Sequence, residues 1–311
     1  MLKLFSAPIV VGIALGLLFP YQSLSLIWVS SILLFLLLFL NTLSVDSRKI
    51  FAVSRNQAWQ SLTAQVLIFF IFPVIQTGAA AAILHDPDFV FGVAVSSLAP
   101  AALVNPFFAH VRGGDRALAL LNVILSTVLS PLLTVPLLFA LGLGAVFINS
   151  RFLFVYLIGL TALPVLLSFG VTTLWPGAGA RIQRILPAAN SLILAALMFI
   201  LVGSSLNRVP VRLLLKGDFP NLLLLFVGID FGIFIAVRAA AKLFLPIPGA
   251  ETLALSVATR NFAVSASLML LFHPKAALPS AAGLIIHCLF FQWLVWRGAR
   301  SRSASAEECA M

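Results

Sequence analysis

The chain is a succession of long apolar runs separated by short polar breaks, and ten runs reach span length. They cover residues 4–20, 24–43, 59–84, 89–111, 117–148, 152–174, 185–206, 219–243, 251–272 and 276–296. At about 1.5 Å of helix rise per residue, each is long enough to cross a hydrocarbon core of roughly 30 Å. The breaks carry turn chemistry: Pro20-Tyr-Gln, His85-Asp-Pro-Asp, Trp175-Pro-Gly-Ala-Gly, Pro246-Ile-Pro-Gly and His273-Pro274. The pattern predicts an all-α membrane protein of ten transmembrane helices.

Two runs are interrupted in mid-membrane. The fourth holds Pro100 and Pro106, and the ninth holds Thr259-Arg260-Asn261. Proline removes a backbone N–H and clashes with the preceding turn, so Pro100 and Pro106 are expected to unwind the fourth span and act as its hinge. Each break is the fourth of five spans in its half, and each has an Asn beside it, Asn105 and Asn261. Matched interruptions in two halves point to a transporter's midplane site. Five spans per half is an odd number, so the halves lie inverted: residues 1–148 form one repeat and 149–296 the other, followed by a tail, 297–311, read as disordered and cytoplasmic. The competing reading is an ordinary set of kinked helices in a membrane enzyme or scaffold, since membrane helices tolerate proline.

Composition agrees with the pattern. Hydrophobic residues make up 62% and charged residues 9% of the chain, with a mean hydropathy of +1.15, far from the balance of soluble domains. The net charge of +10 would suggest nucleic acid in a soluble protein. Here the lysines and arginines sort by side. Thirteen fall with the termini (Lys3, Arg48, Lys49, Arg55, Arg112, Arg116, Arg181, Arg184, Arg238, Lys242, Arg297, Arg300 and Arg302) and five opposite (Arg151, Arg208, Arg212, Lys216 and Lys275). The positive-inside rule then puts both termini in the cytoplasm of a bacterial inner membrane, with lipid rather than nucleic acid as the surrounding partner. Cys288 and Cys309 match no metal or redox spacing, and the start of the chain shows no cleavable signal. Four scattered histidines (His85, His110, His273 and His287) and no nucleophile spacing argue against an enzyme, and no cofactor or metal is expected.

Arg260 is the nineteenth basic residue, and it sits in the middle of an apolar run. A guanidinium at bilayer depth costs several kcal/mol (about 2.5–3.5 on insertion scales), so it must be shielded by protein or water and marks a functional site.

At the two broken segments the sequence resembles the bile acid:sodium symporter family. Gly92-Val-Ala-Val-Ser-Ser-Leu-Ala-Pro100-Ala-Ala-Leu-Val-Asn105, followed by Gly114-Asp-Arg-Ala-Leu, is similar to that family's crossover and the helix after it. Glu251-Thr-Leu-Ala-Leu-Ser256-Val-Ala-Thr-Arg260-Asn261 is similar to its Glu-x-x-x-Gln-Asn segment. The likeness implies a panel unit from spans one, two, six and seven, and a core unit from the remainder, with broken helices four and nine crossing. It also implies alternating-access transport of an organic anion, usually driven by sodium. Against that pattern, Ser256 stands where the family has Glu and Arg260 where it has Gln. Val104, Ala119, Val123 and Ile68 replace further ligand positions, while Asn105 and Asn261 survive. A fixed cation about 4 Å from a metal ion would repel it by roughly 4 kcal/mol at an effective dielectric of 20. The expectation is therefore loss of both sodium sites, with the Arg260 guanidinium in the space of the second ion and transport that is proton-coupled or facilitative. A sodium-coupled symporter with rewired ligands is the alternative.

Asp230, at the centre of the eighth run, is the other formal charge placed near the midplane, and buried charges are usually paired. Three readings stay open: a permanent Asp230–Arg260 salt bridge, a titrating Asp230 that couples transport to protons, or an Arg260 that grips the substrate carboxylate. His287, which the family shares, and Asn122, Ser126 and Thr127 of the fifth run complete the candidate cavity.

Overall fold

The computed structural model describes residues 2–43, 54–143, 150–175, 177–206 and 217–308. Among these, helices account for nearly everything and no strand forms; the one bridge pairs Ala101 with Arg260. In chain order the helices are α1 (Leu2–Leu18), α2 (Pro20–Leu24), α3 (Ile27–Leu43), α4 (Arg55–Val66) and α5 (Phe72–Ile83). They continue with α6 (Pro87–Ser97), α7 (Asn105–Val111), α8 (Arg116–Ala140), α9 (Ser150–Leu157), α10 (Leu163–Leu174) and α11 (Ala178–Leu206). The last are α12 (Asp218–Ala241), α13 (Ile247–Ala258), α14 (Phe262–Phe272) and α15 (Ala277–Glu308). Single π-helical turns, Leu67–Ile71 and Ile158–Ala162, join α4 to α5 and α9 to α10. Each is followed by a proline, Pro73 or Pro164, which has no N–H to give the carbonyl one turn back, that of Phe69 or Leu160, in an ordinary α turn.

Five continuous helical stretches among the described residues are long and apolar enough to cross a membrane: Arg55–Ile83, Arg116–Ala140, Arg151–Leu174, Asp218–Ala241 and Pro274–Arg297. Shorter apolar stretches among the described residues are α3, residues Ala188–Ser204 of α11, α13 and α14. Leu174, Leu243 and Phe244 are each more than 70% exposed, which suits lipid and not water. Trp28, Trp59, Trp175 and Trp296 are also exposed.

The helices group into two packed sets. In one, α11 packs along α1, α2 and α3, and α3 also meets α10. Asn41 and Asn190 exchange side-chain hydrogen bonds of 3.0 Å across this set, and Ser31 meets the Tyr156 hydroxyl at 2.5 Å. In the other, α12 packs on α13 and α15, α14 on α15, α5 on α6, and α8 on α4, α7 and α13. The sets touch where α14 meets α3 and α8 meets α9.

Local chemistry fixes the breaks. Helix α6 stops at Ser97 and α7 starts at Asn105, so Pro100 lies in the gap. Pro106 lies in the first turn of α7, where proline's fixed φ helps begin a helix. It starts the second arm and does not unwind the first, as the sequence reading had it. Gly113 turns the chain at φ +74°, and Asp115 then caps α8 by accepting from the N–H groups of Ala117 and Leu118. A Cβ at Gly114 would stand 2.8 Å from Thr252 Oγ1, so glycine is what lets this turn lie against α13.

The tail expected to be irregular from 297 onward continues α15 as far as Glu308, through a stretch rich in alanine and arginine, good helix formers. Helix α8 ends at Ala140, short of the expected 148. Residues 144–148, and the loop charges Arg48, Lys49, Arg208, Arg212 and Lys216 together with Cys309, lie outside the described residues.

Candidate ion and substrate site

The two broken segments meet as a short antiparallel pair. Asn261 N–H donates to Pro100 O at 2.7 Å and Ala102 N–H to Thr259 O at 3.3 Å, around the Ala101–Arg260 bridge. Ala101 N–H donates to Ser126 Oγ at 3.0 Å, which ties α8 to the crossing. Chain segments that leave a helix within a membrane must find partners for their backbone groups, and here each supplies them to the other.

Arg260 is 1% exposed and heads the fully buried side chains by volume. Its Nε donates to Ser97 O at 3.1 Å, Nη1 to Ser256 O at 3.4 Å and Nη2 to Ile68 O at 3.3 Å, while its guanidinium carbon lies 4.0 Å from the Phe72 ring centroid. Ser97 ends α6, and Ser256 lies in the last turn of α13. The negative ends of both helix dipoles therefore converge on the guanidinium. Ile68 O belongs to the π turn, and carbonyls near such a turn are available to outside donors. The arrangement is a cage of backbone oxygens around a cation, closed below by an aromatic face.

Ser256 is fully buried and its hydroxyl accepts from Asn122 Nδ2 at 3.0 Å. Gln65 Nε2 donates to Asn122 O at 3.3 Å. Gln65 Oε1 and Asn122 Oδ1 have no hydrogen-bond partner. Also at the crossing, Thr259 Oγ1 donates to Asn105 Oδ1 at 2.6 Å, while Asn105 Nδ2 and Asn261 Nδ2 have no partner. Ser126 and Thr127 both donate back to Val123 O, so much of their role is local backbone bonding.

Asp230 does not pair with Arg260. It faces His287, whose Nε2 stands 3.1 Å from Oδ2, and no Asp230–Arg260 ion pair within 4.0 Å forms. The guanidinium is committed to carbonyls, and α12 presents Asp230 to α15 instead. Apart from this 3.1 Å contact, neither Asp230 oxygen has a hydrogen-bond partner. Each of the three Arg260 nitrogens already donates to a carbonyl, and the side chain is 1% exposed. His110 lies on the exposed face of α7.

Two charge clusters escaped the sequence reading. Glu251, 2% exposed, pairs with Arg238 Nε and with Arg112 Nη2 at 3.4 Å, linking α13, α12 and the end of α7. At the opposite end, Lys275 Nζ meets Asp86 at 2.7 Å and Asp88 at 2.9 Å, and Asp218 takes the backbone N–H groups of His85 and Asp86. The signal for both was present in the sidedness of the charges, since each cluster joins residues from one side of the predicted bilayer. Among the described residues no group of His, Cys, Asp and Glu is arranged to hold a metal.

Apolar helices interrupted by a paired, unwound crossing define a multi-pass membrane protein of transporter type. The family model for the sodium bile acid symporter family matches residues 31–210, more than half of the chain, and the chain belongs to that family. It is 23% identical over 236 residues, covering 75% of this chain and 72% of its partner, to an uncharacterised sodium-dependent transporter of Bacillus subtilis, YocS.

Proposed function

We propose that this protein is a secondary transporter of a small organic anion that works by alternating access without sodium, Arg260 serving as a tethered cation. One observation carries the reading: the guanidinium donates to Ser97 O, Ile68 O and Ser256 O where the two broken segments meet. Helix ends of this polarity suit a cation, and a covalently held one neither enters nor leaves with substrate. The unpartnered amides of Asn105 and Asn261 lie beside the positive field of Arg260 and are the donors assigned to the substrate's carboxylate. The ten spans form two inverted repeats in this reading, 1–148 and 149–296. The panel and core move against each other, and both termini face the cytoplasm of a bacterial inner membrane.

The test is uptake and thermal stabilisation by pyruvate, pantoate and taurocholate on purified protein, in sodium and in potassium. Equal responses in the two salts are expected, and a response confined to sodium would sink the reading. The second reading, sodium coupling through rewired ligands, is favoured by the sodium-dependent name of YocS and by the unpartnered Gln65 Oε1 and Asn122 Oδ1. Those oxygens belong to hard, uncharged ligands of the kind sodium accepts.

A further inference from the structure

Asp230 and His287 are the titratable groups that the crossing leaves over. Both are buried, at 0% and 1% exposure, with Nε2 of His287 3.1 Å from Oδ2 of Asp230. Neither carboxylate oxygen of Asp230 accepts a hydrogen bond. The surroundings are aromatic. The His287 ring centroid lies 4.4 Å from that of Phe262, 5.6 Å from Phe291 and 6.5 Å from Phe290. A buried acid and base with so few other partners are poorly explained as scaffold, because an apolar pair of equal volume would pack at least as well.

The charges that face the pair are few. Arg260 presents the nearby positive charge from the crossing. Helix α14 carries no titratable residue, and α7 carries only the exposed His110. On α6 the one acid is Asp88, at its first turn and held by Lys275. Asp218 and Arg238, at the ends of α12, are taken by His85 and Glu251. The charges of α11, Arg181 and Arg184, lie in its first two turns. On α15 itself, Cys288 is the neighbouring thiol and Arg297 lies beyond Trp293, over whose ring it sits.

Charge accounting at this depth is restrictive. With Asp230 ionised and His287 neutral, Asp230 and Arg260 sum to zero. A monovalent anion arriving at the crossing leaves the buried region at −1, and one proton on the Asp230–His287 pair restores neutrality. The pair is also placed to feel the crossing. Phe262 directly follows Asn261, and Phe108 of the other broken arm stacks on Phe291 at 4.1 Å. Gly283 leaves room for the Phe262 ring, because a Cβ there would stand 2.6 Å from it. A shift of either arm therefore opens the aromatic cover over His287.

We propose that Asp230 and His287 form a proton-binding site that takes up one proton as an anion occupies the crossing, making the cycle a proton–anion symport. This rests on the anion-transport reading above for its substrate half and on geometry alone for its proton half. The proton enters on His287 Nε2 with the Asp230 carboxylate as its counter-charge, crosses with the anion, and is released on the far side. No other co-reactant is needed.

The experiment is histidine-selective ¹⁵N NMR of the full chain in lipid nanodiscs, combined with pyruvate binding across pH. The His287 ring, assigned by its loss in His287→Gln, is followed across pH with and without pyruvate and is expected to take up a proton as pyruvate binds, an effect lost in Asp230→Asn. Pyruvate should bind roughly 5- to 100-fold more tightly at about pH 5 than at about pH 8, with the pH dependence flattened in both variants. A ring fixed in one protonation state throughout would overturn the proposal, and His287→Asn supplies the assignment should His287→Gln fail to fold. An undiminished pH dependence of binding in Asp230→Asn would overturn it equally. A titrating ring with no binding of pyruvate, pantoate or taurocholate would uphold the proton site and bring down the substrate reading.

Discussion

Nε of Arg260 donates to the carbonyl of Ser97 at 3.1 Å. The residues lie 163 positions apart in sequence, yet this bond joins the end of one broken helix to the break in the other. Because Ser97 O is the terminal carbonyl of α6, the contact satisfies a group that the helix end leaves without a partner.

Replacing Arg260 by Met should leave three buried carbonyls without donors, each costing about 1–3 kcal/mol. The expected outcome is a large fall in the melting temperature of detergent-purified protein, together with loss of anion uptake. Arg260→Lys should fall between the two, because an ammonium on a flexible stem cannot span three carbonyls as the planar fork does. A fully stable Arg260→Met protein would show the cage to be dispensable.

Restoring the family's residues should restore the family's ion. The double variant Ser256→Glu with Arg260→Gln supplies a carboxylate and removes the tethered charge beside Asn105, Asn122 and Asn261. Sodium should then stabilise the protein in thermal-shift assays where it leaves the wild type unmoved. Sodium-insensitivity of the double variant would argue that the altered ligands at Ala119, Val123 and Val104 have closed the site independently.

Glu251→Gln should destabilise the protein by about 3 kcal/mol, since Arg112 and Arg238 would lose the buried charge that both face. Chemical denaturation in detergent reads the effect. The loss should exceed that from Arg238→Gln, where Arg112 still answers Glu251.

Gly92→Ala should cost about 1–3 kcal/mol. A Cβ there would stand 2.2 Å from the carbonyl oxygen of Ala276, a backbone atom that cannot rotate aside. Gly78→Ala is the control. No atom lies within 4 Å of its Cβ position, and alanine in a helix should be neutral or stabilising by up to about 1 kcal/mol.

Much of this architecture is readable from local properties. The apolar runs, the break around Pro100 and the break at Thr259–Asn261 follow from hydropathy and from what proline does to a helix. That a charge would be buried at Arg260 was equally plain from the apolar residues around it. What misled was the search for its partner. Asp230 was the nearest available carboxylate in chemical terms, but the structure gives Arg260 carbonyls and gives Asp230 to His287. Every residue carries a carbonyl, so a cage of them leaves no trace in composition or spacing. Only the π turn at Leu67–Ile71, itself hinted at by Pro73, brings Ile68 O to the guanidinium. Pro106 was misread for a related reason: the same ring that breaks a helix interior begins a helix when it falls in the first turn.

The amino-acid sequence by itself determined the membrane class, the two interruptions and the buried cation, because bilayer partitioning and backbone sterics act on each segment in isolation. The tertiary structure decided which groups meet at the crossing: Arg260 with three carbonyls, Asp230 with His287, Glu251 with two arginines. Those choices depend on helix rotation and depth. Packing of segments far apart in the chain sets both, and within a low-dielectric interior a shift of a few ångströms changes which pairing is stable.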